Sequence, residues 1–169
     1  MGQKRGEAMT IAWREAMSVG DETIDADHRH LVDMINVFEA AVVGKIDHKR
    51  VARVLLGLVE YTGAHFKREE EIQVLIRYPY HDSHRHGHRD VLKQLTGIAQ
   101  QYTQATGTAR DEMIRGLGGF LREWLVDHII QSDLRMKPYV LKYQAETQDA
   151  KKRQRAAVAL SEQIAGVGH

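Results

Sequence analysis

His28, His65, His84, His88 and His128 each stand where the three-and-four spacing of apolar residues asks for a core side chain. Glu69 follows His65 by four residues on the same stripe. Burying a lone carboxylate is costly, so Glu69 needs a cation or a donor beside it. Any one of these histidines alone reads as a hydrogen-bonded core residue. Together they come from four stripes and would leave many buried nitrogens unsatisfied, and a metal satisfies them at once. The four-residue step from His84 to His88 puts both imidazoles on one helix face, able to hold one ion. His65 and Glu69 use the same step to offer a nitrogen and a carboxylate.

The chain has 10 His and no Cys among 169 residues, so such a site uses nitrogen and oxygen ligands only. Disulfides, thiolate metal sites, Cys-bound iron–sulfur clusters and Cys nucleophiles are excluded. His30 and His86 sit two residues from a stripe position, about 200° round the helix, and should face solvent. His81 shares a face with His84 and His88.

The elements that position these residues read as four long helices. The first runs from about Asp25 to Val43 and ends at Gly44, a C-cap candidate. The second runs from the N-cap candidate Asp47 to about Arg77, before the Tyr78-Pro79-Tyr80 break. The third covers about His81 to Ala105. The fourth runs from about Ala109 to Met136, closed by Lys137-Pro138. With short turns and no alternating strand pattern, this is an all-α, antiparallel up-down four-helix bundle. Residues 1–19 form an irregular N-terminal arm, 20–143 the bundle, and 144–169 a C-terminal extension, helical or linker-like. Alternating helix directions bring His28, His65, His84, His88 and His128 to one end of the bundle. Close helix approach is one reason to keep the helix-interior glycines.

The net charge of +1 argues against a nucleic-acid partner or an anionic membrane surface. No apolar run nears the roughly 20 residues of a membrane span, and Met1 to Thr10 lacks the apolar region of a signal peptide. Gly6 stands where a myristoylation motif needs Ser or Thr. A cytoplasmic location is expected. The Lys151-Lys152-Arg153-Gln154-Arg155 run of the extension reads first as a solvated charge cluster, with docking on a protein partner as the alternative.

Ser18-Val19-Gly20, Ile24-Asp25-x-x-His28, His65-Phe66-x-x-Glu69-Glu70, Tyr78-Pro79, His84-x-x-x-His88 and Trp124-Leu125-x-x-His128-Ile129-x-x-x-Asp133 together resemble hemerythrin, especially bacterial hemerythrin, over roughly Ile11 to Tyr143. The resemblance implies a non-haem di-iron site with an oxo or hydroxo bridge that binds O2 reversibly. It implies that His84, His88 and His128 ligate one iron, that His28 and His65 ligate the other, and that Glu69 and Asp133 bridge both. One iron then has six positions filled and the other five, which leaves a place for O2. Leu31, Phe66, Trp124, Leu125 and Ile129 match the apolar O2 pocket and offer no acid to cleave an O–O bond.

The family reading is an O2 carrier, store or sensor, and not an enzyme. Its rivals are a di-iron redox enzyme acting on peroxide or nitric oxide, and a metal-storage or structural metal bundle. Two positions depart from a simple reading. His128 to Asp133 is a five-residue step, about 140° round a regular helix, which predicts a π-type distortion or a long carboxylate reach. Met136 stands where family members often carry Tyr, with Tyr139 as a candidate substitute.

Overall fold

Asp21 opens the first helix by accepting from the backbone N–H groups of Thr23 and Ile24 at 3.0 and 3.1 Å. Asp47 does the same for the second, accepting from Lys49 and Arg50 at 3.1 Å each. A computed structural model describes residues 10–166. Its main elements are α1 (Glu22–Val42), α2 (His48–Leu75), α3 (His81–Gln104), α4 (Gly107–Gln131) and α5 (Lys137–Gly166). Short 3-10 turns precede α1 at Glu15–Met17 and join α4 to α5 at Asp133–Met136.

The first four helices form a closed ring of neighbours: α1 against α2, α2 against α3, α3 against α4, and α4 against α1. This is the antiparallel four-helix bundle. No helix among the described residues is long and apolar enough to cross a membrane.

Two helix ends differ from the sequence expectation. α4 stops at Gln131, not Met136, and Pro138 does not close it. Pro138 lies in the first turn of α5, where its missing N–H has no helical partner to lose. α2 ends in a Schellman motif. Tyr78 N–H donates to the Gln73 carbonyl at 2.8 Å and Arg77 N–H to the Val74 carbonyl at 3.1 Å. Arg77 takes the left-handed conformation there, at φ 56°.

Two apolar clusters hold the bundle. The larger contains Leu31, Ile35, Phe38, Leu55, Leu58, Leu95, Ile114, Leu121 and Leu125, and the smaller caps one end with Val19, Ile24, Ile76, Tyr78, Met136 and Val140. Full burial of each such side chain contributes about 1.5–3 kcal/mol, enough to offset the roughly 1 kcal/mol cost of a helix-interior glycine. Close approach accounts for some of these glycines and not for others. A Cβ on Gly118 would lie 2.7 Å from the Glu39 carboxyl group, but one on Gly87, Gly97 or Gly116 would meet open space.

The arm is pinned to α1. Ile11 N–H donates to Asn36 Oδ1 at 2.8 Å, and Asn36 Nδ2 donates back to the Ile11 carbonyl at 2.9 Å. Buried Asp25 accepts from Ser18 Oγ at 2.6 Å and from Val19 N–H at 2.8 Å. Lys137 Nζ then donates to the Ser18 carbonyl at 2.8 Å, tying the start of α5 to the same corner. Farther along, residues 148–160 of α5 are all exposed.

Candidate metal centre

On each of α1, α2 and α4 the candidate ligands lie between residues of the two apolar clusters. His28 sits between Ile24 and Leu31, and His65 and Glu69 between Leu58 and Ile76. His128 follows Leu125, while Met136 lies beyond it. The site is a polar layer closed by apolar side chains above and below.

The structure brings together every residue expected to ligate metal. One group holds Glu69, His84, His88, His128 and Asp133, and a second holds His28, His65, Glu69 and Asp133, with one ligand atom from each residue within 4.8 Å of the others. Glu69 and Asp133 belong to both groups and are 0% exposed. His84 Nε2 lies 2.9 Å from Glu69 Oε1 and 3.2 Å from Asp133 Oδ1. His28 Nε2 lies 3.2 Å from Asp133 Oδ2, and His128 Nε2 lies 3.3 Å from Asp133 Oδ1.

These atoms face each other without hydrogen-bond geometry. Nε2 of His28, His65, His84, His88 and His128, Oε2 of Glu69 and both oxygens of Asp133 are buried with no hydrogen-bond partner. Buried polar groups in folded proteins are nearly always paired, so a convergent set of orphans needs a further group. Nitrogen and carboxylate donors at this spacing fit metal ions of intermediate softness.

The electrostatics divide the histidines. Burial opposes protonation of His84, but Asp133 and Glu69 outweigh it and hold the imidazole up at about 10. Burial, with His84 and His128 alongside, pushes His88 down to about 2. Burial also lowers His128. Asp133 is held well below the carboxylate range, because His128, His28 and His84 outweigh its burial. Asp133 likewise raises His28 against its burial, so the carboxylates draw protons onto His28 and His84, while His88 and His128 stay neutral and keep bare nitrogen lone pairs.

Asp133 reaches the site by a route other than the expected π-bulge or long reach. α4 ends at Gln131, Ser132 turns with φ −112° and ψ −61°, and Asp133 begins the 3-10 turn. The tighter winding brings the carboxylate back over the turn that carries His128. Met136, in place of a tyrosine, is fully buried in the capping cluster. Tyr139 packs edge-on against Tyr78, with ring centroids 5.4 Å apart.

The expected apolar wall is at hand. Phe66 stacks on His88 with centroids 3.7 Å apart and planes at 4°. Trp124 lies against His128 at 5.8 Å. Leu31, Leu125 and Ile129 are buried in the main cluster, with Trp124 partly buried beside them. The Trp124 indole N–H is a buried donor without a partner, so the wall is not wholly apolar. His30 and His86 are exposed, as their helix phase requires.

Sequence reasoning missed the layer behind the ligands. Asp27 Oδ2 lies 3.3 Å from His65 Nδ1, and Arg68 grips the same carboxylate at 2.8 and 2.9 Å. Tyr61 donates to Asp27 Oδ1 at 2.7 Å. Burial opposes ionisation of Asp27, but His65, Arg68 and Tyr61 outweigh it and keep its carboxyl well below the usual range. Glu70 Oε1 lies 3.0 Å from His88 Nδ1. A carboxylate only accepts, so both imidazoles carry the proton on Nδ1 and turn a free Nε2 lone pair toward the site. Gln73 donates to Glu69 Oε1 at 2.7 Å. The charged residue just before His28, and the continued four-residue step from Glu69 to Gln73, were the available signals.

Residues 19–140 match the family model described as the hemerythrin HHE cation binding domain. A bacteriohemerythrin of Pseudomonas paraeruginosa is 31% identical over 123 residues, which cover 73% of this chain and 76% of that protein. A hemerythrin-like protein of Naegleria gruberi is 26% identical over 125 residues, covering 74% of this chain and 89% of the relative. The crystal structure of wild-type hemerythrin superposes with a TM-score of 0.65 at 23% identity, over 77% of this chain and 97% of that one.

Proposed function

The chain belongs to the hemerythrin family, and on that premise we propose that its buried cluster holds two iron ions and binds O2 reversibly. The observation that carries this reading is the pair of overlapping ligand groups that share Glu69 and Asp133. His84, His88 and His128 would hold one ion and His28 and His65 the other, with Glu69 and Asp133 available to both. The two-histidine group offers one protein ligand fewer, and that unequal count would leave the place for O2. Bound as a ferrous pair, the metal would supply the two electrons that O2 takes on binding and returns on release.

The remaining work belongs to the protein. Asp27 and Glu70 hold the His65 and His88 rings in the tautomer that points Nε2 inward. Leu31, Phe66, Trp124, Leu125 and Ile129 wall the site against water. Leu31, Phe66, Leu125 and Ile129 offer no proton for cleaving an O–O bond, which favours binding over turnover. Oxidising di-iron proteins of the ferritin-like class use four Glu and two Glu-x-x-His pairs, and this cluster has five His and two carboxylates instead. An O2 carrier, store or sensor in the cytoplasm fits these features, and the exposed length of α5 is the surface offered to a protein partner.

The test is to reduce the iron-loaded protein without air, admit O2, and follow the visible spectrum with metal analysis. A band that forms with O2 and vanishes on its removal is expected. Irreversible oxidation, or turnover with peroxide or nitric oxide, would transfer the reading to a redox enzyme. A colourless protein holding zinc would overturn both.

A further inference from the structure

Gln73 is fully buried, one helical turn beyond Glu69 on α2. An apolar side chain of the same length would fill this position without the cost of burying an amide. The amide is instead used at both ends. Its Nε2 donates to Glu69 Oε1 at 2.7 Å, and its Oε1 lies 3.3 Å from His81 Nδ1. Glu69 only accepts, so the atom facing it is the amide nitrogen. The amide oxygen then accepts from His81, which must carry its proton on Nδ1.

The fold supports this chain of contacts. The Schellman motif fixes the Gln73 carbonyl through Tyr78 N–H and turns the backbone so that His81, the first residue of α3, comes back over Gln73. The chain therefore runs from half-buried His81 through Gln73 to the carboxylate shared by both ligand groups. It makes the two Glu69 oxygens unequal. Oε1 takes the amide donor and lies 2.9 Å from His84 Nε2, whereas Oε2 is buried without a hydrogen-bond partner.

We propose that Gln73, locked in orientation by His81, is a positioning residue for Glu69 whose amide donor raises the reduction potential of the metal pair. The proposal rests on the di-iron reading above. A donor on a ligating carboxylate draws electron density away from the metal and favours the reduced state. Reversible O2 binding needs that bias, because the resting protein must stay ferrous.

The test uses the full-length iron-loaded protein with Gln73→Met, of nearly the same length, and His81→Ala, which leaves Gln73 in place but frees its amide. Iron per chain is measured first, then the midpoint potential by mediated redox titration. Hydrogen exchange of the Gln73 side-chain amide is followed by NMR on metal-free protein carrying isotope-labelled glutamine. Gln73→Met should keep its iron and move the midpoint downward, by the equivalent of about a tenfold change in the oxidised-to-reduced ratio. His81→Ala should move it the same way by less and speed exchange of the Gln73 amide. Unchanged potentials in both variants, or a wild-type Gln73 amide exchanging as fast as exposed glutamines, would overturn the proposal. Should Gln73→Met lose iron, His81→Ala decides alone: a downward shift upholds the proposal and no shift overturns it. A wild-type protein that takes up no iron defeats the di-iron reading and this proposal together, whereas an iron-loaded protein with unmoved potentials defeats this proposal only.

Discussion

Histidines at the two ends of the bundle are in opposite circumstances. At one end, His48 begins α2 with both ring nitrogens engaged: Nδ1 lies 2.9 Å from Tyr102 Oη and Nε2 lies 3.1 Å from Asp111 Oδ1. That histidine links α2, α3 and α4 and needs nothing further. At the other end, His28, His65, His84, His88 and His128 turn unpartnered Nε2 atoms toward one another and toward two shared carboxylates. The residue type is the same in both places. The supply of partners separates a structural histidine from a candidate ligand, and the count of orphaned atoms is the better guide to function than the count of histidines.

This contrast breaks most readily on metal removal. Stripping iron from the reduced protein with a strong chelator should lower the melting temperature by about 10 °C, the scale of a tightly held ligand released from a domain of this size. Calorimetry on protein of verified iron content checks it, and an unchanged transition would mean the orphaned atoms are tolerated without metal. Next in size is Glu69→Ala, which removes a carboxylate common to both ligand groups. Iron content should fall by half or more, as read by elemental analysis, while circular dichroism stays helical. Full iron retention would show that Glu69 does not bridge.

Smaller effects sharpen the comparison. Asp27→Asn leaves the candidate ligands intact but removes the charge behind His65, and should weaken metal affinity by about tenfold in a competition titration. An affinity equal to wild type would make the Asp27, Tyr61 and Arg68 network purely structural. At the opposite end, Tyr102→Phe takes one partner from His48 and should cost about 1 kcal/mol in denaturant unfolding, with iron content unaltered. A loss of iron in that variant would contradict the separation of the two ends.

Much of the centre was legible because a buried polar residue interrupts a periodic apolar stripe visibly. His28, His65, Glu69, His84, His88 and His128 all announce themselves in this way. Asp133 does not, since its five-residue step from His128 breaks the helical period. A change of winding, from α4 into a 3-10 turn, resolves that step without a π-bulge. The same change misled the reading of Pro138, because a proline after a long helix looks like a stop and serves equally well in the first turn of the next. Asp27 was invisible for another reason: it lies about 100° round the helix from His28, and only the crossing of α1 and α2 makes it a partner for His65.

The sequence by itself determined which donor types were available, on which helix faces they lay, and that no thiol could compete. Those properties are local, set by side-chain chemistry and by the period of the helix. Tertiary structure alone decided which nitrogens found a partner and which did not. His48 meets Tyr102 across 54 residues and His65 meets Asp27 across 38, while His88 finds Glu70 on a neighbouring helix. Such pairings depend on helix crossing and on ångström-scale reach, which spacing along one chain segment does not encode.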